Sequence, residues 1–209
     1  MGTRMPDAPP ARRRNATATR EAILTSARRA FAQAGYDGAG VREIAAGAGV
    51  TAMLVNRYFG SKERLFAEVL AATSAAPTIL TRENLKSSNL PETIAATLVD
   101  ITQAADTPLE GFLIMLHSAS SKRAAEIGRE QIEKGHQKTL TDALAGDLAP
   151  QRAALVLSLV AGFQVMRQMI GLSALAEAER SDLVKVLAPL FKQLIDGTDG
   201  SGGTRPGGS

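Results

Sequence analysis

The 209-residue chain has no cysteine and no tryptophan, only two histidines and two tyrosines, and aromatics make up 4% of it. Without cysteine there is neither a disulfide framework nor a thiolate metal site, and a reducing cytoplasm suits such a chain. The histidines, His117 and His136, stand too far apart along the chain to form a local ligand pair. No metal and no cofactor are therefore expected. A glycine-rich phosphate loop following a strand is absent, as is any paired nucleophile and base, which argues against an enzyme. Glu126, Glu130 and Glu133 have helical spacing, but Lys122, Arg129 and Lys134 are interleaved with them, the pattern of a solvated helix face. Long apolar runs are also missing. The longest, Ala153 to Phe163, is interrupted by Ser158 and falls short of the roughly 20 residues a membrane span requires. No apolar signal core opens the chain, so a cytoplasmic protein is expected.

Charge is present but unevenly placed. Residues 12–70 hold 10 Lys/Arg against 5 Asp/Glu, whereas residues 71–209 hold 13 against 15. Positive charge concentrated on one third of a chain is what contact with a polyanion requires, because each neutralised phosphate releases condensed counterions.

That basic third carries the clearest motif. Val41, Ile44, Ala45 and Ala48 are spaced three and four apart, giving a short helix one apolar face, with Arg42 and Glu43 on its wet side. Gly49 stands where a helix end tolerates positive φ, and Val50 follows as a small apolar plug. Thr51 is an N-cap for a second helix over about 52–58, in which Val55 and Phe59 face inward. Thr51, Ala52, Met53, Asn56 and Arg57 are left facing outward. Two short helices about a glycine turn, the second showing short polar and basic side chains, have the layout of a helix-turn-helix that enters a DNA major groove. Ser61 then caps a fourth helix with Leu65, Phe66, Val69 and Leu70 as its stripe.

Ile44-Ala45, Ala48-Gly49-Val50-Thr51, Tyr58-Phe59-Gly60-Ser61-Lys62-Glu63 and Leu65-Phe66, preceded by a first helix from Arg20 to Gly35, closely resemble the TetR family of bacterial one-component transcriptional regulators. Two positions depart from the family pattern: Met53 stands where glycine is usual and Asn56 where tyrosine is usual, so the recognition surface is atypical. Val41 replaces a frequent threonine, and Arg42 or backbone N–H groups take over its phosphate contact. The resemblance implies a sequence-specific regulator, by family default a repressor released from a palindromic operator by a small-molecule effector. An architectural or activating DNA binder without ligand control is the alternative. The expected base contacts are Thr51, Ala52, Met53, Asn56 and Arg57, with Arg57 suited to guanine and Asn56 to adenine, and the expected phosphate contacts are Arg20, Arg42, Tyr58 and Lys62.

The rest of the chain reads as all-α, and with the resemblance this implies an N-terminal three-helix helix-turn-helix domain plus a C-terminal helical ligand-binding and dimerisation domain. The expected divisions are a disordered basic arm over 1–14, the DNA-binding domain over 15–70, the second domain over 71–196 and a flexible glycine-rich tail over 197–209. Arg12-Arg13-Arg14 in the arm suit contact with the backbone or the minor groove. Pro91 starts a helix carrying Ile94, Leu98 and Ile101, and Thr107-Pro108-Leu109-Glu110 reads as a capping box. A charged amphipathic helix follows from Lys122 to about Leu144. Helices over about 151–171 and 181–195, the latter containing Pro189, are the most apolar. The resemblance assigns this last pair to a two-fold interface, with Leu155, Val156, Leu159, Val160, Phe163, Arg167, Leu183, Leu187, Leu190 and Phe191 as candidates. For an apolar effector the candidates are Leu98, Phe112, Met115, His117, Phe163, Gln164 and Met166, an apolar set with a few polar groups.

Overall fold

The computed structural model describes residues 11–74, 79–103 and 110–197. All regular elements among them are helices. The calls on residues 1–10, on the start of the capping box at residues 107–109 and on the tail beyond residue 197 lie outside the described residues. The chain divides into two compact units, one formed by residues 1–76 and 108–131, the other by 77–107 and 132–209. The single boundary expected at residue 70 is thus crossed again, because residues 110–131 return to the first unit.

In the first unit, α1 (Ala11–Gly38), α2 (Val41–Gly47), α3 (Ala52–Phe59) and α4 (Lys62–Ser74) are joined by α6 (Glu110–His117) and most of α7 (Lys122–Ile132). α1 starts at Ala11, so Arg12, Arg13 and Arg14 belong to a helix and not to the disordered arm expected over 1–14. The predicted stripes build the core together with residues of other helices: Ile44 from α2, Val55 and Phe59 from α3, and Leu65, Phe66 and Val69 from α4 are buried with Ile23 and Phe31 of α1, Ile114 of α6 and Ile127 of α7. Phe66 packs edge-on against both Phe31 and Tyr36, each with ring centres 5.0 Å away, a geometry that adds to plain area burial. Arg28 reaches Glu110 through Nε at 3.0 Å and Nη2 at 2.5 Å, tying α1 to the start of α6.

The second unit contains a 3₁₀ turn at Asn84–Lys86, α5 (Leu90–Ile101), a π-helical turn at Glu133–Gln137, α8 (Lys138–Ala143), α9 (Ala149–Gln164), a second π turn at Val165–Met169, α10 (Ser173–Ala176) and α11 (Arg180–Asp196). Burial on α11 recurs every four residues, at Leu183, Leu187, Phe191 and Ile195, and this stripe packs on α5 and α9. Two buried arginines on α9 and its π extension secure the ends of neighbouring helices. Arg152 donates through Nη1 to the carbonyls of Ile195 at 2.7 Å and Leu194 at 3.2 Å, through Nε to Asp147 O at 2.9 Å, and through Nη2 to Ala145 O. Arg167 donates through Nη1 to Val99 O at 2.9 Å and Thr102 Oγ1 at 2.8 Å, at the end of α5. A cation at a helix C-terminus meets carbonyls that have no intrahelical donor and the negative end of the macrodipole. Burial nevertheless disfavours the charged form and lowers the Arg167 pKa, an effect that Asp100 opposes. Residues 149–169 form one continuous helical stretch, close to the helix expected over about 151–171 and extending beyond the apolar run 153–163, and by length and composition alone it is apolar enough to cross a membrane.

Candidate nucleic-acid interface

The local chemistry of residues 40–61 sets the shape of the site. Gly40 precedes α2 in an extended conformation, and the helix closes with Ala48 N–H on Ile44 O at 3.1 Å. Gly49 adopts φ 67°, which brings the Val50 N–H back to Ala45 O at 2.9 Å and seats Val50 against the core. This is the C-terminal motif that an αL glycine permits. Thr51 then turns extended, and its Oγ1 accepts the Leu54 N–H at 3.4 Å. α3 ends where Gly60, at φ 79°, donates to Asn56 O at 2.8 Å. Ser61 Oγ accepts the Arg64 N–H at 3.3 Å and opens α4.

α3 is anchored by Val55 and Phe59, which are 2% and 3% exposed, and turns the rest of its surface outward. Thr51, Met53, Asn56 and Arg57 are exposed, while Ala52 and Tyr58 are half-buried. Arg42 is exposed on α2. The two other expected phosphate ligands have partners within the unit. Arg20 pairs with Glu68 of α4 and lies with its guanidinium carbon 5.1 Å from the centre of the Phe59 ring. Lys62 Nζ stands 4.7 Å above the ring of Tyr36. Beneath it, burial, followed by the Glu63 carboxylate, raises the Tyr36 pKa. Glu63 itself is held below the ordinary carboxylate range, first by its own backbone N–H and then by the Ser61 hydroxyl. Sequence reasoning missed the partners of Arg20 and Lys62, since Glu68 and Tyr36 are brought beside them only by packing. It also missed Ser26, whose hydroxyl donates to Ile44 O at 2.8 Å and fixes α2 on α1.

The seven candidates for an effector site are divided between the units. Phe112, Met115 and His117 belong to the first, Leu98, Phe163, Gln164 and Met166 to the second. Leu98 and Phe163 are core residues and Met166 is exposed. His117, expected as the polar group of an apolar helix, is instead an exposed tether whose ring Nδ1–H donates to Ala32 O at 2.5 Å. A cleft of about 600 Å3 in the second unit is lined by residues around the start of α5 and along α11, including Pro91, Glu92, Arg180 and Val184, and by none of those seven. Among the described residues no His, Asp and Glu group is placed to hold a metal ion.

The ten interface candidates also separate. Leu155 and Leu190 are exposed, and Leu159 and Val160 are half-buried. Val156, Phe163, Arg167, Leu183, Leu187 and Phe191 are buried within the subunit, so their contacts are already made there. Met166, expected as an effector contact, and Ile170 and Val186 are further exposed apolar side chains in these two helical regions, outside the ten. The reason for the separation is geometric: a helix apolar around most of its circumference does not reveal which stripe faces its own subunit.

Comparison with known proteins agrees with this architecture. A family model described as bacterial regulatory proteins, tetR family, matches residues 23–69, and one described as tetracyclin repressor-like, C-terminal domain, matches residues 88–195. No curated protein matches the sequence. Among solved structures, a TetR-family regulator from Streptomyces coelicolor A3 is 24% identical, with a TM-score of 0.56 over 93% of this chain and 99% of that one. A transcriptional regulator from Rhodococcus sp. Rha1 is 21% identical, with a TM-score of 0.60 over 86% of this chain and 98% of that one. NalD, the secondary repressor of the MexAB-OprM multidrug efflux pump in Pseudomonas aeruginosa, is 18% identical, with a TM-score of 0.53 over 81% of this chain and 94% of that one. With a helix-turn-helix whose second helix turns its polar face outward and family matches to both parts of the chain, the protein belongs to the TetR family of DNA-binding transcriptional regulators and is not an enzyme.

Proposed function

We propose that the protein is a cytoplasmic homodimeric repressor that places α3 of each subunit in successive major grooves of a palindromic operator and leaves it when a small apolar effector binds. The observation that carries this reading is the face of α3: Val55 and Phe59 hold the helix down while Thr51, Met53, Asn56 and Arg57 stand free of the unit. Asn56 matches adenine and Arg57 matches guanine, each through paired hydrogen bonds in the major groove. Arg42, Tyr58, Lys62 and Arg20 hold phosphates, Arg20 with Glu68 as its second partner.

The exposed apolar residues Leu155, Met166 and Ile170 along α9 and its extension, with Val186 and Leu190 on α11, support a two-fold contact through these helices. A dimer reads half-sites about 34 to 36 Å apart. Repression is supported by family membership and by the likeness of fold to a protein that is itself a repressor. Release needs only an effector that prefers the conformation not bound to DNA, and a coupling of about 1–3 kcal/mol changes affinity about 5- to 150-fold.

The test is selection of bound sequences from a random DNA library by the purified chain, followed by affinity for the selected site as a function of salt. A palindrome with a steep negative slope in log salt is expected. Sequence-indifferent binding, or enrichment of a single unrepeated half-site by a monomer, would overturn the reading.

A further inference from the structure

Met53 is the most exposed large apolar residue on the helix-turn-helix, with 79% of its surface open. It occupies the first turn of α3, directly after Ala52, while its neighbour Leu54 is half-buried. An unbranched apolar side chain at that place adds nothing to the packing of the free protein. It also has no donor, and its thioether is a weak acceptor, so it reads poorly any base edge that presents only hydrogen-bonding groups.

Purine edges in the major groove offer N7 with O6 or N6, and cytosine offers its N4 donor. The one apolar feature there is the C5-methyl group of thymine, which 5-methylcytosine shares. Met53 lies three and four residues before Asn56 and Arg57, so the three side chains share a face with Cβ atoms about 5–6 Å apart. Base pairs stack about 3.4 Å apart. The base that meets Met53 therefore lies one or two steps from a base read by Asn56 or Arg57.

We propose that Met53 is a specificity residue that reads the C5-methyl group of a pyrimidine at one position in each half-site. This rests on the proposed entry of α3 into the major groove. The flexible, polarisable thioether closes over the methyl group and removes both from water. Exchange of a single methyl-sized contact is worth about a fourfold change in affinity per half-site.

The experiment uses the full chain and its selected operator. Each thymine of the half-site is replaced in turn by deoxyuridine, which removes only the methyl group. Wild type is expected to lose about fourfold per half-site at one position, within two base pairs of the Asn56 or Arg57 contact, and Met53→Ala to bind thymine and deoxyuridine there equally well. Met53→Leu, which keeps an apolar tip, retains the preference. Cytosine and 5-methylcytosine at the same position identify the source. Enrichment of thymine from an unmethylated library points to thymine, whereas enrichment only from a methylated library points to 5-methylcytosine. Indifference of wild type both to deoxyuridine in place of thymine and to cytosine in place of 5-methylcytosine at every position, or an unchanged methyl preference in Met53→Ala, would overturn the proposal while the selected operator still stood. Failure to select any operator would instead overturn the groove reading on which it rests.

Discussion

Gly35 of α1 and His117 of α6 are apposed so closely that the kink in α1 has no room for a side chain. Gly35 adopts φ 66° and ψ −177°, and a Cβ there would overlap the His117 carbonyl oxygen and come within 2.8 Å of its carbon. Three hydrogen bonds surround this approach: His117 Nδ1–H to Ala32 O at 2.5 Å, Tyr36 N–H to Ser118 Oγ at 2.9 Å and Ser121 Oγ–H to Asp37 at 3.1 Å. The end of the first helix of the reading head is thereby fastened to the turn between α6 and α7.

Gly35→Ala is expected to destabilise the chain by about 2–3 kcal/mol, since this backbone region is almost closed to other residues and the clash cannot be relieved by a flexible side chain. Gly49→Ala makes the comparison, because its φ of 67° is also positive but nothing lies within 4 Å of the added carbon; a loss nearer 1 kcal/mol is expected there. Urea denaturation of both variants measures the difference. Equal losses would show that the apposition to His117 contributes nothing beyond backbone strain.

Arg57→Ala should cost about 1–3 kcal/mol of operator binding and relax preference at one base position, whereas Lys62→Ala should weaken all sequences alike and flatten the salt slope by about one unit. Competition binding against operators changed at single positions reads the first effect, and a salt titration reads the second. An Arg57→Ala protein with unaltered affinity and preference would remove α3 from the groove.

Leu190 and Phe191 adjoin on α11 but differ in burial, 44% exposed and fully buried respectively. Leu190→Glu is expected to yield a folded monomer in sedimentation, because it would put a charge in the apolar contact proposed between subunits. Phe191→Ala is expected to lower unfolding free energy by about 3–5 kcal/mol through the cavity it leaves. A dimeric Leu190→Glu protein would take α11 out of the interface.

His136, in the π turn at Glu133–Gln137, has its pKa lowered from the ordinary 6.5 by burial. Its folded-state pKa lies below its unfolded value, so the unfolded chain takes up the proton first as the solution is acidified. This contribution to stability is complete above pH 6.5 and is lost as pH falls from there through the lowered pKa, at up to about 1.4 kcal/mol per pH unit. Denaturation midpoints between pH 7.5 and 5 should fall for wild type and fall less steeply for His136→Gln. Identical slopes would mean that His136 titrates alike in both states.

The reading head was largely legible before its tertiary structure was known. Thr51, Gly49 and Gly60 act on their nearest neighbours through a cap and two positive-φ glycines, and Val55 and Phe59 mark the buried face by spacing alone. The start of α1 was not legible. A leader rich in proline and arginine suggested an arm over 1–14, yet the helix begins at Ala11. Nor did the apolar character of residues 112–117 reveal that the helix bearing them packs with α1 and α4 in the first unit.

Sequence by itself thus determined the all-α class, the helix-turn-helix and the exposure of Thr51, Met53, Asn56 and Arg57, though not the half-burial of Ala52 against the core, because each depends on interactions within about four residues. Tertiary structure alone decided which stripe of α9 and α11 is core, that Arg152 and Arg167 cap distant helices, and that Arg20 lies beside Glu68 and His117 against Ala32. Those choices join residues 42 to 85 positions apart along the chain. A helix with apolar side chains on several sides has no local feature that orients it, so only the packing of its neighbours could choose.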